Sequence, residues 1–333
     1  MPGLLVTDQQ REGFDMTRIG IDAAPEQKPE SGRRRLLECM LWAGTGVLWT
    51  VVGGVPRSRM LTQPAEAASA SSGSFSFVQI SDSHIGFHGP ANLDVTATLR
   101  QAIGEVKAAA RNAAFMIHTG DVSHTSKDAQ FDTALQINKE AGLHTYYVPG
   151  EHDILADNGK NFFPRFGTGK GRWYSFDAAG VHFIGLDNVS DIGPGGLGHI
   201  GAEQFAWLKK DLAARPASQP IVVMAHMPLW QVYPRWGWGT DAAAEVLALL
   251  KPFGSATVLN GHIHQIVQKV EGHVAFHTAR STAFPQETPG APPAHPGPFK
   301  VADNRLKQML GTADISYVPG KAELAVINTP LGA

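Results

Sequence analysis

The chain has 333 residues, of which 28 are Lys or Arg and 30 are Asp or Glu, so its formal net charge is −2. This near-neutral balance lacks the basic surface that binds a long phosphate backbone, and we expect no long nucleic acid as a partner. Cys39 is the only cysteine. A disulfide framework and a cysteine-rich zinc site are therefore excluded, and any metal must be held by His, Asp, Glu or Asn.

The N-terminal part of the chain differs in composition from the rest. Residues 1–32 are rich in Glu, Gln, Pro and Asp without an apolar period, which predicts a disordered lead. Three arginines at 33–35 then precede an apolar run at 39–55, and a small-x-small site follows at 65–67. Residues 33–67 thus resemble a twin-arginine export signal and predict a periplasmic or otherwise extracytoplasmic protein. The alternatives are an uncleaved anchor, which would associate the protein with a membrane, and a cytosolic protein.

From residue 74 onward, short apolar runs alternate with amphipathic stretches. The runs are rich in β-branched and aromatic residues and predict buried strands at 75–80, 113–117, 145–148, 181–186, 221–225 and 256–259. Helices are predicted between several of these strands, at 95–111, 127–141, 202–212 and 242–250. The alternation predicts a layered α/β fold, in which ligands collect at the carboxyl ends of strands.

The C-terminal part is predicted to be an extension of this fold. Residues 285–298 are dominated by Pro, Gly and Ala and predict an extended connector. A helix at 301–310 and a hairpin of residues 315–318 and 322–327 are predicted beyond it. We therefore expect a catalytic domain at residues 74–284, followed at 285–333 by the connector, helix and hairpin.

Ionisable residues follow five of the predicted strands, directly where each strand ends. They form the sets Asp82-Ser83-His84, Gly120-Asp121, Gly150-Glu151-His152-Asp153, His226 and Gly261-His262-Ile263-His264. A hydrophobic core gains nothing from ionisable groups at these positions, whereas a metal site needs ligands that converge from separate, rigid strand ends. The adjacent glycines allow tight turns and a close approach of the loops. The ordered set therefore predicts a metal site.

These motifs resemble those of the metallophosphoesterase (calcineurin-like phosphoesterase) superfamily, whose pattern runs D-x-H, G-D, G-N-H-D/E, H and G-H-x-H. The resemblance covers about residues 77–280 and implies a four-layer α/β/β/α sandwich that binds two metal ions. By position it implies a first metal held by Asp82, His84, Asp121 and His264, with Asp121 bridging to a second metal held by Glu151, His226 and His262. Nitrogen and oxygen ligands suit Mn, Fe or Zn, and the sequence does not choose among them.

The resemblance also implies a reaction, the hydrolysis of a phosphate mono- or diester by attack of a metal-bridging hydroxide. Two cations lower the pKa of a shared water and hold the phosphoryl oxygens during in-line displacement. His152 matches the family's catalytic histidine, which would protonate the leaving oxygen. Asp153 would orient a ligand, or alternatively cap a turn.

Two positions depart from the family pattern. Glu151 stands where the family has Asn, and His124 stands where it often has an acidic residue; the arginine common in protein serine/threonine phosphatases is also missing. These departures argue against a protein phosphatase and leave open a metal-binding module without activity. We hypothesise that Glu151 and His124 are coupled, directly or through His152 and the metals, because the charge lost at 124 offsets the charge gained at 151. The alternative is that His124 faces solvent.

Candidate substrate contacts lie on the loop after His226. Trp230 and Tyr233 fit stacking on a nucleobase or sugar, and Arg235 fits a second phosphate, although the rings could equally pack the loop onto the domain. Arg280 and His124 complete the candidate set. We expect a small phosphate ester of the nucleotide, sugar or lipid type as the substrate.

Overall fold

Two mixed β-sheets form the centre of the computed structural model, which describes residues 74–109, 113–169, 171–289, 295–319 and 324–332, together with the backbone of 47–52 and 55–60. The strands are β1 Val47–Val52, β2 Val55–Met60, β3 Phe75–Ile80, β4 Ala113–His118, β5 Thr145–Tyr147, β6 Tyr174–Ala178, β7 Val181–Gly185, β8 Ile221–Met224, β9 Ala256–Asn260, β10 Gln268–Glu271, β11 Val274–Thr278, β12 Gly311–Tyr317 and β13 Ala325–Pro330.

The helices lie mainly between strands. They are α1 Val95–Ala109, α2 Asp128–Lys139, α3 Glu151–Ile154, α4 Phe162–Phe166, α5 Ala202–Ala213, α6 Ala243–Leu250 and α7 Asp303–Met309, with short 3₁₀ turns at Pro194–Gly196 and Pro234–Trp236. In α1 the buried side chains recur at helical spacing, which is why this stretch folds as an amphipathic helix: Val95, Thr98, Leu99, Ala102, Ile103 and Val106.

The first sheet has the order β13-β12-β3-β4-β5, and the second has the order β10-β11-β9-β8-β7-β6. Strands β3, β4 and β5 are parallel to one another, as are β7, β8, β9 and β11. The antiparallel strands lie at the sheet margins: β12 and β13 extend the first sheet, while β6 and β10 are the edges of the second. Parallel strands end at the same edge of a sheet, so loops that are far apart in sequence meet there.

Three apolar cores produce a four-layer α/β/β/α arrangement. Residues of both sheets share one core, which includes Phe77, Phe115, Phe183, Val222, Met224 and Ile315. The other face of the first sheet packs against α1, α2 and α4 through residues such as Val78, Met116, Leu99, Phe131 and Phe162. The other face of the second sheet packs against α5 and α6 through residues such as Val223, Val258, Leu208 and Val246. The predicted four-layer sandwich is confirmed.

The predicted strands and helices are all present in the described residues, with ends that shift by a few positions. Strands β1, β2, β6, β10 and β11 and the short helices α3 and α4 are additional. The predicted C-terminal hairpin forms as β12 and β13, and β12 pairs with β3 at the centre of the first sheet. The segment 285–333 therefore contributes two strands to the first sheet, and so extends the predicted catalytic domain.

The predicted N-terminal lead, the arginines at 33–35 and the small-x-small site at 65–67 lie outside the described residues. Val47–Val52, in the apolar run, pairs with Val55–Met60, which follows it, as an antiparallel two-stranded sheet. Among the residues that the structure describes, no helix has both the length and the apolarity needed to cross a bilayer.

Candidate metal centre

The ionisable sets predicted from the sequence meet where the carboxyl ends of the two sheets face each other. Loops after β3, β4 and β5 come from the first sheet, and loops after β8 and β9 come from the second. Backbone hydrogen bonds join neighbouring loops: Asp82 N–H donates to Gly120 O at 3.0 Å, and His84 N–H donates to Asp121 O at 2.9 Å. In the second sheet, Gly261 N–H donates to the His226 carbonyl at 3.0 Å.

Asp82, His84 and His264 form the first group of ligand atoms. His84 Nε2 lies 3.2 Å from His264 Nε2, and His264 Nε2 lies 3.4 Å from Asp82 Oδ1. All three side chains are buried. Their donor atoms lie close enough together to bind one cation.

Glu151, His226 and His262 form the second group. Glu151 Oε2 lies 2.8 Å from His226 Nε2, and Glu151 Oε1 lies 3.0 Å from His262 Nδ1. Burial alone would raise the pKa of Glu151, but His262 and His226 outweigh it and hold this pKa well below its ordinary range. Burial would lower the pKa of His226, yet Asp121 and Glu151 raise it well above the ordinary value. A cation bound here would replace the proton that these carboxylates attract.

Asp121 connects the two groups. Its Oδ2 lies 3.4 Å from His84 Nε2 of the first group and 3.4 Å from His226 Nε2 of the second. Its Oδ1 accepts the backbone N–H of His152 at 3.0 Å, which fixes the orientation of the carboxylate. Asp121 is thus placed to contribute a ligand to both sites.

Several features show that these residues fit metal ions. Metal–ligand bonds of about 2.0–2.2 Å place neighbouring ligand atoms roughly 2.8–3.6 Å apart, a range that matches the separations seen here. Asp82 Oδ2 and His262 Nδ1 are buried without a hydrogen-bond partner among the described residues, as expected of atoms that bind a metal ion.

The ring orientations support the same assignment. His226 Nδ1–H donates to Thr119 O at 2.7 Å, and His264 Nδ1–H donates to Phe284 O at 2.6 Å. Each bond leaves the Nε2 lone pair directed at the ligand group. Metal-binding histidines characteristically hold the second ring nitrogen in this way, because the bond selects the tautomer that can coordinate.

Five of the seven predicted ligands have a left-handed backbone: Asp82 (φ 53°), His84 (φ 41°), Asp121 (φ 51°), His262 (φ 70°) and His264 (φ 53°). This conformation costs non-glycine residues about 1–2 kcal/mol each. Asp and His adopt this conformation more often than most residues, but it still has a cost, so the packed strands and loop hydrogen bonds must hold it. Such strain is concentrated at functional sites.

The glycines predicted to allow a close approach of the loops do so, and a Cβ at Gly261 would overlap Ser81 Oγ and Asp82 Oδ2. A Cβ at Gly120, whose φ is 93°, would overlap the His226 ring, and a Cβ at Gly150 would overlap the Asp121 carboxylate. A side chain at any of these positions would push apart loops that carry ligands of both groups.

His152 lies at the mouth of the site, and Asp153 lies beneath it. The His152 ring meets the His84 ring at 4.8 Å between centroids, and its Nδ1–H donates to His124 O at 2.8 Å, which leaves Nε2 free to face a substrate. Asp153 is fully buried and accepts the N–H groups of Val122, Ser123 and Gly150. The Asp153 carboxylate therefore caps its own turn, through Gly150 N–H, and also holds the loop that carries Asp121, through Val122 N–H and Ser123 N–H.

His124 does not simply face solvent. Its Nδ1 lies 3.3 Å from His84 Nδ1, and its ring stacks on His152 with centroids 4.9 Å apart and planes inclined by 16°. Glu151 instead contacts His226 and His262, which belong to the second ligand group. A coupling between Glu151 and His124 would therefore run through His152 and the metals, not through direct contact.

The other predicted substrate contacts are dispersed. Trp230 is 8% exposed and packs edge-on against Phe276 in the outer core of the second sheet, so packing alone accounts for it. Tyr233 is partly exposed and contacts Trp236, and Arg235 is exposed. The Arg280 guanidinium donates to Gln308 O at 2.6 Å. Substrate binding by these four residues stays a prediction.

The segment after β11 contributes contacts that the sequence did not indicate. The Phe284 ring stacks on His84 with centroids 4.7 Å apart, and its carbonyl holds His264. Ser281 Oγ–H donates to Asp82 O at 2.7 Å, and Gln286 Nε2–H donates to His262 O at 2.8 Å. These residues follow the carboxyl end of β11. A prediction of β11 as a strand would therefore have placed them near the site.

Comparison with known proteins agrees with this geometry. The chain is 26% identical over 217 residues to a probable cyclic nucleotide phosphodiesterase of Rhodopseudomonas palustris, covering 62% of this chain and 78% of that protein. It is 24% identical over 163 residues to a probable glycerophosphodiester phosphodiesterase of Arcobacter nitrofigilis, covering 46% and 57% respectively.

A dimetal phosphatase from Danio rerio has a similar fold, with a TM-score of 0.53 at 15% identity, over 76% of this chain and 98% of that one. The family model for calcineurin-like phosphoesterases matches residues 75–266, which include all seven predicted ligands. This chain belongs to the calcineurin-like phosphoesterase family.

Proposed function

We propose that this protein is a metal-dependent phosphoric ester hydrolase that binds two metal ions and acts on a small phosphodiester. The observation that carries the proposal is the position of Asp121, whose Oδ2 lies 3.4 Å from a histidine nitrogen of each ligand group. One carboxylate oxygen is thus shared between two clusters that each offer three ligands. Paired cations in such a site act on both the attacking and the leaving oxygen of a phosphoester.

The metals, Mn, Fe or Zn, would supply Lewis acidity and a nucleophile at neutral pH. The protein's own part is to hold a proton where the leaving group departs. Because the His152 Nδ1–H is engaged by His124 O, the second proton of the charged ring resides on Nε2. His152 can donate that proton to the leaving oxygen, a role that contributes about 10²–10⁴-fold.

Charge favours a diester over a monoester. Among the described residues, the ion pairs of the ligand carboxylates Asp82, Asp121 and Glu151 are all with histidines, and none involves Lys or Arg. Glu151 also adds a negative charge where the family has a neutral Asn. A diester carries one negative charge and a monoester carries up to two, so these carboxylates oppose the binding of a diester less than that of a monoester. The two relatives described above are both diesterases by name.

We further propose that the reaction takes place outside the cytoplasm, because residues 33–67 resemble a twin-arginine export signal. Export would separate the enzyme from cytosolic cyclic nucleotides. Small diesters with a nucleotide, sugar or lipid component are then the substrate classes that fit.

The test compares bis(p-nitrophenyl) phosphate with p-nitrophenyl phosphate, using full-length protein loaded separately with Mn²⁺, Fe²⁺ or Zn²⁺. We expect turnover of the diester to exceed that of the monoester, and a chelator to abolish both. His152→Asn should retain the metals and lose about 10²–10⁴-fold in turnover, because only the proton donor is removed.

Two results would contradict the proposal in different ways. A preference for the monoester would overturn the diester assignment and leave the hydrolase intact. Stoichiometric metal binding without turnover of any phosphoester would identify a binding module instead.

A further inference from the structure

Four histidine rings of the site are held in two different ways. His226, His264 and His152 each donate Nδ1–H to a backbone carbonyl, at 2.7, 2.6 and 2.8 Å. His84 differs, because its Nδ1 faces the Nδ1 of another side chain, His124, at 3.3 Å. The orientation of His84 therefore depends on a residue that mutation can change, whereas the backbone carbonyls are present whatever the sequence.

Only one proton can lie between the two facing nitrogens. His84 Nε2 points at Asp121 and His264, so it must be bare if it is to bind a cation. A neutral His84 then carries its proton on Nδ1 and donates it to a bare His124 Nδ1. The reverse arrangement would place a proton on His84 Nε2 and exclude a metal ion.

His124 is itself held firmly. Its backbone N–H donates to Ile85 O at 3.0 Å, and the Phe87 ring packs edge-on against the imidazole with centroids 5.2 Å apart. Its ring stacks on His152, and its carbonyl accepts the His152 Nδ1–H. One residue thus contacts both a metal ligand and the proposed proton donor.

We propose that His124 is a positioning residue that fixes the tautomer and ring orientation of His84, and through it the affinity of the first metal site. The metal part of this inference rests on the proposed function. Partners of this kind behind a ligating histidine change metal affinity by about 10–100-fold when they are removed.

The test uses two variants of nearly equal shape in the full-length protein. In His124→Asn the side-chain carbonyl oxygen occupies the position of Nδ1 and can accept the His84 proton. In His124→Leu a methyl group occupies that position and can accept nothing. Chelator competition with Zn²⁺ then measures the affinity of each of the two sites, and circular dichroism confirms that each variant folds.

We expect His124→Leu to weaken one of the two sites by about 10–100-fold and His124→Asn to bind both ions much as the wild type does. Equal losses in the two variants would show that ring packing, not the Nδ1 contact, is responsible, and would overturn the proposal. Unchanged affinity in His124→Leu would overturn it as well.

A second measurement needs no substitution at 124. Long-range ¹H–¹⁵N spectra of the Zn²⁺-loaded wild type, assigned with a His84→Gln variant, report which ring nitrogens carry protons. We expect the proton of His84 on Nδ1 and that of His124 on Nε2, and the opposite pattern would overturn the proposal. Wild-type protein that binds two ions but hydrolyses no phosphoester would contradict the proposed function alone, since the affinity and tautomer results do not depend on turnover.

Discussion

Asp153 accepts the backbone N–H of Ser123 at 2.7 Å, so a side chain of the short helix α3 holds the backbone of the loop after β4. The same carboxylate accepts Gly150 N–H and Val122 N–H at 3.0 and 3.1 Å. Burial and the neighbouring Asp121 raise the pKa of Asp153 to about 7, against these hydrogen bonds, which lower it. The geometry of Asp121 therefore depends on a residue that is not itself a ligand.

Asp153→Asn should destabilise the metal-free protein by about 2–3 kcal/mol, because an amide nitrogen would face buried N–H donors that then lack an acceptor. Urea denaturation with chelator present measures this loss. Asp191→Asn makes the same chemical change at an exposed position and should leave the free energy of unfolding unchanged. An equal effect in both variants would show that Asp153 has no special role.

Asp121→Ala should release both metals and remove most of the turnover, since one carboxylate contributes to each ligand group. Metal analysis after gel filtration gives the number of ions per chain. Asp191→Ala provides the control at an exposed position. Retention of two ions and near-normal activity in Asp121→Ala would show that this residue does not bridge the sites.

A double-mutant cycle tests the coupling between positions 151 and 124. The two side chains contact different ligand groups, so any coupling between them should be indirect, through His152 and the metals. Glu151→Asn should impair metal retention or turnover. His124→Asp keeps an acceptor for the His84 proton, so it should impair turnover through its added negative charge, and the double variant should recover much of the lost turnover. The deviation from additivity should reach about 0.5–3 kcal/mol, whereas additive losses within about 0.5 kcal/mol would rule the coupling out.

The strands and the ligands could be predicted because both have strong local signals. Buried central strands are continuous apolar runs, and the ligand motifs follow them directly. Strand β10 has the sequence QKVE and lies exposed at a sheet edge, so neither an apolar run nor a clear alternation marks it. Strand β11 ends in the buried polar residues His277 and Thr278, whose partners are distant in sequence.

Other parts of the site have no local signal at all. Phe284 holds His264 through a backbone carbonyl, and any residue type would offer that group. The left-handed conformations of Asp82 and His264 are held by contacts with distant loops, such as Asp82 N–H to Gly120 O and His264 Nδ1–H to Phe284 O, which no local pattern reveals. Sequence patterns therefore predict which side chains serve as ligands but not what fixes their orientation.

Export can be tested independently of the fold. Replacing Arg33 and Arg34 by Lys should leave folded, active protein in the cytoplasm, because the twin-arginine pathway depends on that pair. Fractionation of the source cells, with activity measured in each fraction, gives the distribution. As a control, Arg57→Lys with Arg59→Lys replaces two arginines C-terminal to that pair and should not change the distribution of the protein between cytoplasm and periplasm. Unchanged export of the Arg33 and Arg34 variant would remove the twin-arginine interpretation.

His277 makes the stability of the fold depend on pH. Its Nε2–H donates to Asn328 Oδ1 at 3.1 Å, and Gln268 Nε2–H donates to its Nδ1 at 3.2 Å, so the neutral ring joins the second sheet to β13 of the first. Burial lowers the pKa of His277 from 6.5 to about 4, although the bond to Asn328 raises it slightly. The unfolded chain therefore binds a proton between these two pH values and the folded chain does not.

The sign of the effect follows from that difference. As the pH falls from 6.5 toward 4, the unfolded state gains protons first, so the free energy of unfolding decreases by up to about 1.4 kcal/mol per pH unit. Between pH 7 and pH 5 we expect His277 to account for a loss of about 2 kcal/mol.

His277→Gln cannot take up a proton and should lack this component, whereas the exposed control His273→Gln should keep it. Urea denaturation at both pH values, with chelator present so that metal release adds nothing, measures the difference between the variants. Parallel pH profiles for the wild type and His277→Gln would show that His277 is not held neutral by the fold.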